Sequence, residues 1–305
     1  MARSITDNKL VNTAYGGTYG ESYGPFVMPY LVTSSKNFKV TAAMKEITFI
    51  GVGGGGNASS SYGGGGGAGL FLKTLTDPVP DTTYSLVIGA TTGTTSLRDA
   101  GGNIICQATG GKSATSSTHG SGGTASGGDI NSNGAPGNYA SGGAAGSPFG
   151  DSVDGNMLLF PEYARGYVQK VKAALIQAGY LFQSNENTKG APFTDGGFGA
   201  AGGFGFCYAP GVPATGEANG RDGGFGCCGE MGGHRKPGGN GGFGGGGGRG
   251  GDGGANGGGR GGNGGYGGGG GPGGGGSPSG SGGSGGSGAI LVLIKATDEL
   301  CVNNV

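Results

Sequence analysis

Between Gly196 and Gly288 the chain keeps a clock of three. At every third residue from Gly196 to Gly286, glycine fills the position except at Tyr208, Ala214, Glu217, Arg235, Asn256 and Ser277. From Gly241 the variable residue falls at Phe243, Arg249, Asp252 and Ala255; beyond Asn256 it moves to Arg260, Asn263, Tyr266 and Pro272. This period matches neither the roughly 3.6-residue repeat of an α-helix nor the two-residue alternation of a strand. It is the repeat of the polyproline-II family, a helix with three residues per turn and no hydrogen bonds of its own. Collagen shares that geometry but needs proline near about 15–20%, and residues 223–288 hold only Pro237, Pro272 and Pro278. The remaining solution is a bundle of left-handed polyglycine-II helices, because buried backbone N–H and C=O groups must find partners and lateral neighbours are the only source. A helix with neighbours on two edges needs glycine in two phases, as in Gly241-Gly242-Phe243 and Gly264-Gly265-Tyr266. Ordering costs about 1–2 kcal/mol per residue, most for glycine, against a net ~0.5–1.5 kcal/mol per hydrogen bond. Such a bundle is marginal alone and needs a β domain, a partner or symmetry beside it.

The rest of the chain supplies that β domain. Ile47-Thr48-Phe49-Ile50-Gly51-Val52 is β-branched and aromatic and breaks into Gly53–Gly56. Residues 70–75, 84–88 and 104–108 read as further strands separated by turn residues. Ala289-Ile290-Leu291-Val292-Leu293-Ile294-Lys295 is the most apolar strand, and an all-apolar strand needs both faces covered. It is expected to pair back with 47–52 and 84–88. The fold class that follows is mainly β: a small sandwich-like domain closed by its first and last strands, with an inserted polyglycine-II bundle and one α-helix. The expected division is an N-terminal attachment and oligomerisation segment over 1–46, a β domain of 47–111 with 289–305, a glycine/serine-rich insert over 112–195, and the bundle over 196–288. Within the insert, Pro161 and Glu162 suit a first turn, Gly179 a stop, and Tyr167, Val168, Val171, Leu175 and Ala178 recur at helical spacing, which predicts a helix over 161–178.

Charge and motifs exclude more than they identify. Of 305 residues 86 are glycine, and 18 basic residues balance 18 acidic ones. A neutral chain has no electrostatic footprint for nucleic acid, and no apolar run reaches the roughly 18 residues of a membrane span. Met1–Asp7 lack the apolar core of a secretion signal, so synthesis in the cytoplasm is expected. Five cysteines, Cys106, Cys207, Cys227, Cys228 and Cys301, are odd in number and widely spread, and neither a disulfide framework nor a zinc set is expected from them. Gly111-Lys112-Ser113 ends like a phosphate loop, but Cys106 stands where that loop needs glycine. Arg249-Gly250-Gly251 and Arg260-Gly261-Gly262 are too few for an RNA-binding tract. His119 and His234 have no carboxylate or nucleophile at useful spacing. No catalytic residue, cofactor or metal is therefore expected.

The order of strands and glycine runs resembles the glycine-rich domain of bacteriophage tail-fibre and tail-tip proteins. The opening is matched by Asn37-Phe38-Lys39-Val40 and then Ile47 to Gly56. The threonine-rich turn into a strand is matched by Asp81 to Gly89, the small strand closing on glycines by Ile104 to Gly111, and the final apolar strand by Ser287 to Val292. The likeness covers about residues 37–111 and 223–295. The first 36 residues and the stretch 150–195 depart from it. A weaker likeness is to the glycine-rich extracellular domain of certain receptor tyrosine kinases. The phage resemblance implies a virion protein, an adhesin that touches a bacterial surface receptor, either a sugar or an outer-membrane protein, and contacts other tail proteins, commonly as a homotrimer. The alternative it allows is a purely structural spacer or decoration of the virion. Side chains gather where the clock is interrupted, so Tyr208, Glu217 and Arg221, then Phe225, Glu230, Met231, His234, Arg235 and Lys236, are the candidate receptor contacts. Phe26, Met28 and Tyr30 are the candidate contacts with the virion or with a second protomer. The same residues 207–236 also read as simple connections between glycine helices.

Overall fold

Alternating and all-apolar β-branched segments form ten strands among the described residues. The computed structural model describes residues 26–60, 63–139, 141–146, 219–220, 222, 229 and 231–296. The strands are β1 (Phe26–Val32), β2 (Lys36–Lys39), β3 (Met44–Val52), β4 (Leu70–Thr76), β5 (Thr83–Val87), β6 (Thr95–Arg98), β7 (Ile104–Ala108), β8 (Ala125–Ser126), β9 (Ile130–Ser132) and β10 (Ala289–Ala296). They make two five-stranded sheets in the orders β1-β10-β3-β4-β9 and β2-β5-β6-β7-β8, every pairing antiparallel. The protein is mainly β and sandwich-like. The helix predicted over 161–178 and the clock from 196 to 218 lie outside the described residues.

The last strand is central, as its composition demands. β10 sits between β1 and β3, with Leu291 opposite both Leu31 and Ile50. Its two faces serve two cores. Ile290, Val292 and Ile294 join Phe38, Phe49, Phe71, Leu86 and Leu97 between the sheets; Phe49 meets Phe38 edge-on at 5.5 Å between ring centroids. Leu291 and Leu293 join Ile50, Leu70, Ala145 and Phe243 on the opposite face. At ~25 cal/mol per Å2 of buried apolar area, a strand buried on both faces contributes heavily to stability.

Two expectations need correction. The strand expected at 84–88, here β5, does not pair with β10; β2 and β6 flank it in the opposite sheet, and Leu86 contributes to the core between the sheets. Apolar pattern identifies a strand buried on one face but not which sheet supplies its neighbours. The sandwich also begins before residue 47: β1 and β2 lie in its two sheets, so their connection carries the chain from one sheet to the other.

Four strands run directly into or out of glycine segments, and there the hydrogen bonding changes period. β3 and β4 pair up to Val52 and Leu70. Beyond them the antiparallel contact continues with bonds from Gly53, Gly56 and Ser59 to the carbonyls of Gly69, Gly66 and Gly63, at steps of three. The segment 63–69 then bonds in six directions. Its amides go to 138 and 135 from Gly64 and Gly67, to 270 and 267 from Gly65 and Ala68, and to 112 and 109 from Gly66 and Gly69. Its carbonyls accept from Gly120 and Gly123, from Gly143 and Gly146, and from the 53–59 segment.

The same step orders the C-terminal glycines. Amides of Gly238, Gly241, Gly244, Gly247, Gly250 and Gly253 each donate to the carbonyl 22 residues further on. Those of Gly258, Gly261, Gly264 and Gly267 each reach 20 residues further. Segments near 236–242, 257–265 and 279–287 thus lie parallel in one layer, and those near 245–253 and 268–276 in a second. Antiparallel bonds such as Gly262 to Gly248 and Gly283 to Gly271 join the layers. Each turn sends the chain from one layer to the other. The variable residue keeps its phase across the turn near 266, from Arg260 to Pro272, and shifts at the turn at 255–256.

Glycine is required where parallel passes of one layer meet. A Cβ on Gly262 would collide with the carbonyl oxygen of Gly239, and one on Gly265 with that of Gly242. Gly262→Ala is therefore expected to cost about 1–3 kcal/mol, the range of an overpacked interior. Arg260→Ala, two residues away on the exposed phase, is expected to stay within about 0.5 kcal/mol. Thermal denaturation of the two variants compares them directly, and equal tolerance would contradict the packing described.

At the far edge of the first sheet, Asp129 clips β9 to β4. Its carboxylate accepts from Lys73 Nζ at 2.5 Å and from the Thr74 amide at 2.7 Å. The hydrogen bond from Lys73 and then that from Thr74 hold its pKa below the ordinary 3.8. A depressed carboxylate stabilises the fold above its unfolded-state pKa, and that contribution is lost as pH falls through the folded value. Denaturant titrations between about pH 5 and pH 2 should show a shallower acid loss for Asp129→Asn than for the parent; identical slopes would refute the clip.

Candidate functional site

The expected recognition loop converges on a tight turn. Met231, His234, Arg235 and Lys236 are described; Tyr208, Glu217, Arg221, Phe225 and Glu230 lie outside the described residues. The Lys236 amide donates to the Gly233 carbonyl at 2.9 Å and closes the turn. Arg235 holds φ at 62°, a left-handed conformation uncommon for a residue with a side chain. Two bonds secure it: its amide donates to the Asp252 carbonyl at 3.2 Å and its Nη2 to the Asn256 carbonyl at 2.9 Å. Arg235 thus ties one turn of the glycine layers to the next. His234 is exposed beside it, while Met231 and Lys236 are half-buried.

The candidate contacts near the N-terminus fall on β1, at the edge of its sheet. Phe26, Met28 and Tyr30 stand opposite Ala296, Ile294 and Val292 of β10. Tyr30 is half-buried against the core between the sheets. Its hydroxyl accepts from Lys36 Nζ at 2.6 Å, and that ammonium lies 4.9 Å from the ring centroid. Tyr30 therefore fastens β1 to the start of β2.

A second set of polar residues was not singled out from the sequence. In the layer containing 236–242, 257–265 and 279–287, the outward phase carries Asn240, Asn263 and Ser284. The Oδ1 of Asp222 accepts the Asn240 amide at 2.6 Å, that of Asn240 accepts the Asn263 amide at 2.9 Å, and that of Asn263 accepts the Ser284 amide at 3.0 Å. Each side chain thus satisfies the outward amide of the next segment, which among the described residues no backbone carbonyl reaches. Asp252 does the same for Gly275 at 2.6 Å and pairs with Arg249 one three-residue turn away; Asn57 does it for Gly285. The recurrence of Asn and Asp on the side-chain phase of successive passes is the signal that could have revealed this ladder.

Among the described residues, reactive groups do not assemble. Cys106 is a buried free thiol, pushed up to about 12 chiefly by burial, so it stays a protonated core side chain rather than a nucleophile. The His119 ring packs edge-on against Tyr139 at 4.5 Å. Among the described residues no three His, Cys, Asp or Glu side chains gather as a metal site, and no described helix is long and apolar enough to cross a membrane. No protein-family model matches the chain, and no curated protein is significantly similar to it.

Proposed function

We propose that this protein is a bacteriophage virion component of the tail fibre or tail tip, an adhesin whose laterally bonded glycine segments are polyglycine-II helices. The observation that carries the reading is the hydrogen bonding in steps of three, by which a segment such as 63–69 reaches six neighbours. A β-ladder alternates its partners in steps of two, whereas a three-residue helix turns successive amides through three directions. The scaffold leaves specificity to side chains on its turns and outward phase. In this reading a bacterial surface receptor binds there, the chain performs no catalytic step, other tail proteins hold it, and three copies assemble side by side with β1 near their contact.

One observation favours the second reading, a purely structural spacer in the virion. Arg235 spends its hydrogen bonds on holding a turn together, as a connection between helices would require. Separate alanine replacements at Tyr208, His234 and Arg235 test the choice. The adhesin reading predicts that particles carrying at least one of them assemble normally but adsorb to host cells about tenfold more weakly, the scale of losing one interface anchor. If all three adsorb like the parent while folding normally, and deletion of 207–213 halts assembly instead, the spacer reading holds.

A further inference from the structure

We infer that the outward face of the glycine layer carries a binding groove for a neutral saccharide, formed by Asn219, Asp222, Pro237, Asn240, Arg260 and Asn263. This deepens the adhesin reading and rests on it, but it moves recognition from the turns to the side of the scaffold. The groove is open to solvent on one side and has a volume of about 430 Å3, within the roughly 300–1,000 Å3 of small-molecule sites. Its floor is backbone: Gly238, Gly261 and Gly262 line it, so among the described residues no floor side chain stands in the way of a ligand lying along the segments. Three parallel passes build it. The Gly220 amide bonds to the Pro237 carbonyl, Gly238 to Arg260, and Gly241 to Asn263. Their outward residues therefore stand in rows, with Asn219, Pro237 and Arg260 one three-residue turn from Asp222, Asn240 and Asn263.

The chemistry of the rim selects the ligand class. Among the described lining residues Asp222 and Arg260 carry opposite single charges, so they present no net charge to attract a phosphate chain or a polyanion. It is too polar for an apolar peptide face. It offers what a ring of hydroxyls needs, which is acceptors and donors side by side. Each Asn Oδ1 is already committed to a neighbouring amide. That commitment fixes the plane of each carboxamide, and among the described residues no acceptor meets Nδ2 of Asn240 or Asn263. The Arg260 guanidinium spends one long contact, 3.3 Å, on Asn263 Oδ1. Asp222 uses only Oδ1 in the ladder, leaving Oδ2 as an acceptor. Side chains held in place before binding lose little rotational freedom on binding, and planar carboxylate, carboxamide and guanidinium groups suit pairs of adjacent hydroxyls.

The test uses the full-length protein and its Arg260→Ala, Arg260→Lys and Asn240→Ala variants, each checked for parental thermal stability. Surface-immobilised neutral O-antigen and neutral capsular polysaccharides of the host are the probes, with heparin as a charged control and intact host cells alongside. The proposal predicts binding to at least one host polysaccharide, none to heparin, and at least about tenfold weaker binding for Arg260→Ala and Arg260→Lys. Asn240→Ala serves as an independent rim variant, with its stability read separately because it also removes a ladder bond. Polysaccharide binding unchanged in all three variants overturns the groove while leaving the adhesin reading intact. Binding to cells without binding to either polysaccharide overturns the saccharide class and points to a protein receptor. Binding to neither cells nor polysaccharide overturns the adhesin reading itself.

Discussion

Backbone-to-backbone hydrogen bonding between chains that carry no side chain at the contact is the constraint on which this structure depends. Segments can approach so closely only if the facing positions lack Cβ. A side chain on Gly265, Gly268 or Gly286 would enter the carbonyl of Gly242, Gly245 or Gly265. Two of every three residues are therefore committed before any other requirement is met, and the third alone is free to carry chemistry. The consequences run outward from there: turns of a few residues between passes, and Asn or Asp caps on outward amides such as those of Asn240, Asn263, Gly275 and Ser284.

The glycine layers are not left to stand alone. Net hydrogen-bond gain of about 0.5–1.5 kcal/mol barely offsets the ordering of glycine, so apolar anchorage decides whether the layers persist. Phe243 is buried with Ala145 against Ile50, Val52, Leu70 and Leu291, and Tyr266 packs beside it, 5.9 Å from the Phe243 ring. Both aromatics sit at turns between glycine passes and rest on the face of the first sheet that the second sheet leaves uncovered. The β-strands and the glycine passes also share a continuous backbone at Val52, Leu70, Ala108 and Ala289. Sandwich and glycine layers are thus coupled both covalently and through a common core.

What could be read from the chain divides along physical lines. The three-residue clock was legible as a strict periodicity, and β10 because an unbroken apolar strand needs both of its faces covered. The partner of β5 was not, because a strand with one buried face looks alike in either sheet. The role of β1 was obscured by Pro29 and by its aromatic content, which resembles an exposed contact; pairing with β10 shows it as an edge strand, where proline is tolerated. The ladder of Asp222, Asn240 and Asn263 was hidden because these residues read as scattered polar variation until the passes that hold them are laid side by side. Of the candidate contacts, His234 is exposed and Arg235 is engaged in holding its turn, a distinction that sequence cannot make because it depends on the carbonyl of Asn256, a neighbour brought close only by folding.

Site-resolved amide hydrogen exchange over residues 236–288 tests the central claim most directly. Among the described residues, no backbone carbonyl accepts the amides of Arg249, Asp252, Arg260 or Ser281, whereas those of Gly250, Gly251, Gly258, Gly259, Gly261, Gly262 and Gly264 all donate to a neighbouring segment. The account predicts slow exchange for pairs of glycines separated by a fast residue at every third position, with Asn263 and Ser284 slowed by their side-chain acceptors. Uniformly fast exchange, or protection alternating at every second residue as in a β-strand, would contradict it.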